Sequence, residues 1–384
     1  MSLHPNSSVD GAEQSTALHD GAAELLRVAD SSGERYTHRL FRYPAKFHPP
    51  VVRALLDRYT VVGERILDTF CGSGTLMIEA AVSGRPSVGL DLDPVAVEVA
   101  KAKTRLYNYE RLADKAYSLV TSLGALERSA AEYEKRKFRD LSPTAYESTL
   151  RADGLWVPNI PAPEHWFRRY VLVDLAWILR TINALDCSTE ERLFFRVVFA
   201  AIIRSASNAD PVPVSGLEVT SHMKRKDAAG RVINPFQLYI SGLKKRLHGV
   251  KELMTAYQTN GAAIPLCCTG DATELPAEFE GEFGSIVTSP PYHNAVDYYR
   301  RHQLEMYWLG LVQDHEDRLG ILPKYIGRHR VPMKHPLLQE SWQPAHLARK
   351  WEDEIRAVSE QRANDFRVYC IWRQCLRSFV KCIA

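Results

Sequence analysis

Apolar residues run unbroken through Ile66-Leu67, stop at Asp68, and resume at helical spacing at Leu76, Met77, Ala80 and Ala81. A short apolar run bounded by a glycine turn reads as a buried strand, and the repeat that follows it as a helix. Ser87-Val88-Gly89-Leu90-Asp91 repeats the strand signal and ends in an acid. Asp93-Pro94 then supplies an N-cap with proline at the first helical position, predicting a helix that runs to about Asn108. Strand, helix, strand, helix is the pattern of a parallel sheet with crossovers, so residues 36–109 read as half of a doubly wound α/β sheet. A later strand is expected in the apolar pair Ile286-Val287.

The pattern between residues 110 and 262 is different. Leu126–Phe138 is heavily charged, Arg168–Ala184 carries apolar residues at helical spacing, and Thr189–Ser205 does so more strongly, with Phe194, Phe195, Val198, Phe199 and Ile202. That aromatic stripe reads as core. Lys244–Tyr257 reads as another amphipathic helix returning to the sheet. Such a stretch is too long for a connection inside one doubly wound sheet, so a mostly helical insertion over 110–262 is expected, with 36–109 and 263–384 forming the sheet domain. Residues 1–35 read as a loose lead-in with one short helix around Ala22–Ala29. Beyond residue 292, Val296–Val312 reads as a helix, Gln313–Pro344 as a proline-bearing loop and Ala345–Cys382 as helical, with no convincing strand.

Two corners of this outline carry chemistry. Thr288-Ser289-Pro290-Pro291-Tyr292 closes the Ile286-Val287 strand. A small polar residue, two prolines and an aromatic at a strand end suit chemistry on the amino group of a planar base. A side-chain oxygen and the next carbonyl can accept from an –NH2, the prolines fix φ and bring no competing N–H, and the ring offers a stacking surface. The same five residues also suit an ordinary turn or polyproline segment. The other corner is Asp68-Thr69-Phe70-Cys71-Gly72-Ser73-Gly74-Thr75. Gly72 and Gly74 let the backbone approach a ligand and bend into a helix whose first amides face it. Asp91 stands 23 residues after Asp68, the spacing at which a βαβ unit offers a carboxylate to a ribose diol. The run is not a full G-x-G-x-x-G, so a dinucleotide is not the natural ligand.

Composition narrows the picture only slightly. With 384 residues, 45% apolar and 25% charged, the chain is globular and long enough for two domains. A net charge of +3 leaves affinity for a polyanion to local patches, for which Lys224-Arg225-Lys226, Lys244-Lys245-Arg246 and Arg300-Arg301-His302 are candidates. Each triplet equally suits a solvated face. The loop Asn208–Thr220, which leads to the first triplet, suits either DNA contact or a surface connection. The seven cysteines show no C-x-x-C pairing, so neither a metal site nor a disulfide framework is indicated, and a reducing cytoplasm suits them. There is no 18-residue apolar run and no signal-peptide pattern, which predicts a soluble protein without membrane association.

With these segments in order, the chain resembles the amino-directed DNA methyltransferases, which use S-adenosylmethionine to modify cytosine N4 or adenine N6. Phe41-Arg42-Tyr43-Pro44-Ala45-Lys46-Phe47-His48-Pro49-Pro50 resembles the segment that touches the methionine end of the cofactor, which implies contacts from Phe47, His48 and Pro49. The Asp68–Gly74 run resembles the cofactor loop, implying roles for Asp68, Phe70, Cys71, Gly72, Gly74 and the adjoining Thr75, with Asp91 as the ribose acid. Gly270-Asp271-Ala272 resembles the third-strand segment, whose Asp271 would sit near the adenine ring. Ser289-Pro290-Pro291-Tyr292 resembles the catalytic motif.

The resemblance implies a Rossmann-like methyltransferase acting on double-stranded DNA, with the target base rotated out of the duplex. Ser289 Oγ and the Pro290 carbonyl would accept from the amine and Tyr292 would stack on the base, with no covalent cysteine, so Cys71 is expected to pack. Serine at the first motif position leans towards cytosine N4 in this family, adenine N6 coming next. The insertion would recognise the target, and a restriction endonuclease would be a partner. The glycine loop also resembles RNA guanine-N2 methyltransferases, and an inactive DNA-binding remnant is a third reading. The family fold has seven strands, three of them after the catalytic motif, whereas 92 residues follow Tyr292 here. Strands five to seven are therefore expected to be missing through truncation, unless a second polypeptide or the insertion supplies them. An unpaired sheet edge beside the catalytic strand would be the liability of such a chain.

Overall fold

The structure is a computed structural model and describes residues 34–211, 216–291, 298–325 and 382. Its centre is a parallel sheet of four strands in the order β3-β2-β1-β4: β1 Ile66–Asp68, β2 Ser87–Asp91, β3 Leu266–Thr269 and β4 Ser285–Ile286. Leu67 lies between Val88 of β2 and Ile286 of β4, while Leu90 of β2 faces Cys268 of β3. Both chemical corners thus sit at the C-terminal ends of neighbouring strands, where a parallel sheet opens a crevice. The architecture is α/β and Rossmann-like.

Alternation along β1 divides the core. Ile66 packs with Val52 and Leu56 of helix α1 (Pro49–Tyr59), Met77 and Ala80 of α2 (Thr75–Val82), and Val97 and Ala100 of α3 (Pro94–Thr104). Leu67 turns to the other face, where Val88, Leu90, Phe279, Phe283 and Cys382 meet it. On that face the backbone amide of Phe283 donates to the Cys382 carbonyl at 3.2 Å, just before β4. Among the described residues β4 is an outer strand of the sheet.

Eight helices follow in the middle of the chain: α4 Tyr109–Leu126, α5 Ala130–Arg136, α6 Pro143–Ala152, α7 Pro163–Trp166, α8 Arg169–Ala184, α9 Thr189–Ala206, α10 Ser221–Ala228 and α11 Pro235–Asn260. Apart from α10, they contribute to one core that also takes in Ile78 and Ala81 of α2 and Val95 and Val99 of α3. The aromatic stripe of α9 lies inside it, with Phe194, Phe195 and Phe199 all fully buried. α9 opens with a capping box in which Ser188 and Glu191 exchange side-chain and backbone bonds. Three shorter helices follow, α12 Tyr298–Arg301, α13 Gln303–Trp308 and α14 His315–Ile321, of which α13 packs on α9. Leu304, Met306, Tyr307 and Trp308 belong to the same core.

Several elements depart from the sequence expectations, each for a local reason. The helix predicted to reach Asn108 ends at Thr104, because Asn108 is spent elsewhere: its side chain accepts from the Arg111 amide and caps α4. The Lys244–Tyr257 helix is the second half of a longer α11 that starts at Pro235 behind the Asn234 cap. The predicted Val296–Val312 helix breaks at His302, whose ring is held by Asp93 at 2.5 Å instead of facing water. Arg301 and His302 are both buried, so the triplet Arg300-Arg301-His302 is not a solvated basic patch. The expected helices at Ala22–Ala29 and Ala345–Cys382 fall on residues outside the described set, save Cys382 itself. No helix among the described residues is long and apolar enough to cross a membrane.

Candidate active site

The two corners open into one cleft of about 820 Å3, its open mouth included, lined on one side by Asp68, Phe70, Cys71, Gly72, Thr75 and Asp91 and on the other by Ser289 and Pro291. Phe47 and Asp271 line it too. Ten of the residues expected from sequence therefore share a single space. His48, Pro49, Gly74 and Pro290 are not among its lining, and Tyr292 lies outside the described residues.

The local chain geometry explains this division. His48 and Pro49 are consumed by the start of α1, the former as its N-cap residue and the latter at its first helical position. Gly74 precedes α2 in the left-handed region at φ +78°, and a Cβ there would lie 2.9 Å from that of Ala100. Its lack of a side chain serves the close approach of α2 to α3. Gly72, at φ +49°, is the glycine that faces the cleft, and a Cβ on it would come within 3.2 Å of the Tyr43 ring. Cys71 is buried, and burial pushes its thiol well above the ordinary range, which suits packing and not nucleophilic attack.

Two acids tie the corners together. Asp68 Oδ1 accepts from the Phe70 amide at 3.1 Å and from the Thr288 hydroxyl at 2.6 Å, so the acid that ends β1 holds the residue just before Ser289. Asp91 Oδ2 accepts from the Gly72 amide at 2.8 Å and Oδ1 from the Asp93 amide at 2.9 Å, which fixes the glycine turn against the end of β2. Burial drives both carboxyls up to about 7. For Asp68 the bonds from Thr288 and Phe70 act against that rise, while for Asp91 the neighbouring Asp93 charge adds to it and the two amides oppose it.

Several residues of the site carried no sequence signal strong enough to single them out. Tyr43 lines the cleft, stacks on Tyr298 with centroids 6.1 Å apart, and meets the His302 ring at 5.0 Å. Asp93, which looked like a helix cap and is one, also grips His302 through its second oxygen. Below the loop, the fully buried Lys103 reaches Ser73 Oγ at 3.0 Å, and burial pulls its ammonium down to about 7. Thr288 was visible as part of the motif, but its bond to Asp68 needs the tertiary fold to exist.

The cleft has the features that an adenosine-bearing cofactor requires. Among the described residues Thr69 Oγ1 and Thr75 Oγ1 are buried with no hydrogen-bond partner, and both residues line the space. Two acids, an aromatic ring at Phe70 and the first turn of α2, whose amides have no intrahelical acceptor, complete the donor and acceptor set.

Comparison with known proteins finds similarity to methyltransferases. A family model described as DNA methylase matches residues 10–102. The chain is 23% identical over 310 residues to the type II methyltransferase M.MvaI of Kocuria varians, covering 78% of this chain and 63% of that protein. Over its first hundred residues and in these longer matches the chain is similar to DNA methylases. It is also 25% identical over 283 residues to M.BsoBI of Geobacillus stearothermophilus, covering 71% of this chain and 53% of that protein. A tRNA (guanine(10)-N2)-dimethyltransferase of Methanothermobacter thermautotrophicus is 29% identical over 183 residues, or 42% of this chain and 53% of its own length. The chain thus spans between about half and two thirds of these curated relatives. No solved structure matches it. Methyltransferases of this family take their methyl group from S-adenosylmethionine.

Proposed function

We propose that the protein transfers a methyl group from S-adenosylmethionine to the exocyclic amine of a base in DNA, cytosine N4 first and adenine N6 next. The observation that carries this reading is the shared cleft, in which Ser289 and Pro291 face the Gly72 turn and Asp91 across one space. Bound there, the cofactor supplies a methyl group on a sulfonium. Asp91 and Asp271 are the acceptors for its ribose and adenine, while Phe47 and the turn at Phe70–Gly72 hold the remainder.

An aromatic amine is a weak nucleophile because its lone pair is delocalised into the ring. Ser289 Oγ and the Pro290 carbonyl, accepting from both amine hydrogens, favour a more tetrahedral nitrogen with its lone pair aimed at the methyl group. Tyr292 stacks on the extruded base, offsetting part of the few kcal/mol that extrusion costs by about 1–3 kcal/mol. The bond from Thr288 to Asp68 keeps Ser289 in register with the cofactor loop. The helices of residues 110–262 supply target recognition, with the exposed Lys224, Arg225 and Lys226 on α10 as backbone contacts. A restriction endonuclease acting on the same site, or a second polypeptide beside β4, is the partner this reading proposes.

A second reading, methylation of a guanine N2 in RNA, is supported by the similarity to the tRNA dimethyltransferase. Labelled methyl transfer to duplex DNA and to tRNA, followed by nucleoside analysis, separates the two. Label in N4-methylcytosine or N6-methyladenine is the expected result. Label confined to N2-methylguanine would replace the DNA reading, and calorimetry showing no S-adenosylmethionine binding would end both.

A further inference from the structure

Lys103 occupies a place beneath the cleft that packing alone would not favour. It is the penultimate residue of α3 and is fully buried, with 0% of its surface exposed. An unbranched apolar side chain such as methionine would fill the same space with no charge to desolvate. The backbone of Lys103 is pinned, because its carbonyl accepts from the Thr37 hydroxyl at 2.7 Å. The ammonium rises under the glycine turn and donates to Ser73 Oγ at 3.0 Å. Ser73 lies between Gly72 and Gly74, is 2% exposed, and lines the cleft. Three charged or titratable groups surround the amine. Lys46, also in the cleft lining, acts on it with like sign, and Glu34, ion-paired to Lys46, acts as a counter-charge. The third is the buried His38, which is held by Glu79 at 2.6 Å.

Ser73 accepts from Lys103, which leaves its own O–H to donate. A hydroxyl already bonded to an ammonium is polarised into a stronger donor. Next to it Thr75, 3% exposed, lines the same cleft, and among the described residues its Oγ1 has no partner. The first amides of α2, which begins at Thr75, have no intrahelical acceptor. Two hydroxyls and a helix start therefore offer donors to one anionic group.

The sheet order indicates which end of the ligand arrives there. Asp271 follows β3, Asp91 ends β2 and Ser73 lies in the turn after β1, and these strands are neighbours in that order. With the adenosine taken up at Asp271 and Asp91, the amino-acid end falls to the β1 turn, and its carboxylate is an anion that matches those donors. We infer that Lys103 is a positioning residue for the cofactor, aiming the Ser73 hydroxyl at the carboxylate on the amino-acid end of S-adenosylmethionine. This inference rests on the cofactor reading of the cleft.

Calorimetry with three ligands separates this role from support of the fold. S-adenosylmethionine carries both sulfonium and carboxylate, S-adenosylhomocysteine keeps the carboxylate without the sulfonium, and methylthioadenosine keeps adenosine and sulfur without the amino-acid end. Lys103→Met and Ser73→Ala should each bind the first two about tenfold more weakly, with methylthioadenosine within about twofold of the unaltered chain. The double variant should lose no more than either single one, because both changes break the same chain of bonds. Losses that add in full would overturn the relay. Equal weakening for all three ligands would make Lys103 a prop of the loop, and no weakening for any would detach it from the ligand; either result overturns the inference. Ser73→Ala nearly conserves volume and keeps the amine, so the comparison holds even if Lys103→Met fails to fold. If the unaltered chain binds methylthioadenosine as tightly as S-adenosylhomocysteine, the adenosine cleft stands and the carboxylate seat falls. If it binds none of the three, both fall.

Discussion

In the helical body the side chains withdrawn from water are those of Phe194, Phe195, Val198 and Phe199, whereas at the cleft they are those of Asp68, Thr69, Ser73 and Thr75. One buried acid of the body, Asp174, is paired with Arg128 at 2.9 Å and accepts from the Tyr133 hydroxyl at 3.0 Å. Among the described residues, Asp68 and Asp91 at the cleft accept from neutral donors, and their carboxyls rise to about 7 against about 6 for Asp174. The body is stabilised by burying apolar area, with Asp174 paired to Arg128. At the cleft, Asp68 and Asp91 stay in low dielectric against neutral donors, a pattern found where chemistry is done.

That contrast can be broken most directly in the body. Phe199 is fully buried and meets Trp308 edge-on with centroids 5.7 Å apart. Phe199→Ala should lower the unfolding free energy by about 3–5 kcal/mol in denaturant melts, while the molecules still folded bind S-adenosylmethionine normally. If cofactor binding falls in step with stability at temperatures where the chain stays folded, the two regions are one unit. Gly74→Ala acts at the boundary between them. An alanine would be forced into left-handed backbone with its Cβ 2.9 Å from that of Ala100, a destabilisation of about 2–4 kcal/mol together with loss of cofactor affinity.

Smaller effects should separate function from folding. Ser289→Ala leaves the core untouched and should cut methyl transfer by more than about tenfold, with an unchanged melting temperature. An unaltered rate would remove Ser289 from the mechanism. The pH response sharpens the electrostatic half of the comparison. On the proposed reading Asp91 accepts from the ribose diol most strongly when ionised, and burial lifts its carboxyl to about 7. Protonation as pH falls through that value therefore weakens binding, to about one tenth at about pH 6 of the affinity at about pH 8. Asp91→Asn should bind weakly at both values and lose the step, and a wild-type affinity equal at both would detach Asp91 from the ligand.

Much of this outline was legible because it rests on local rules. A glycine that bends a strand into a helix, an Asp-Pro cap, and a four-residue repeat of aromatics each act over a few residues. The β1–α2–β2–α3 unit and helices α8 and α9 therefore emerged close to their bounds, and so did the glycine turn. The misses fell where a residue's partner is distant in the chain. His302 reads as part of a basic patch until Asp93, 209 positions away, is seen to hold it. The close approach of Ala100 to Gly74 likewise has no sign in the local sequence.

The sequence alone determined the alternation of strand and helix, the two chemical corners and the aromatic face that the insertion buries, since propensity, capping and periodicity are local energies. Only the tertiary structure decided that both corners share one cleft, that Asp68 bridges β1 to Thr288, and that Lys103 reaches Ser73 from beneath. Those facts depend on the β3-β2-β1-β4 strand order and on which helix packs where, and these are set by the burial of the whole chain at once.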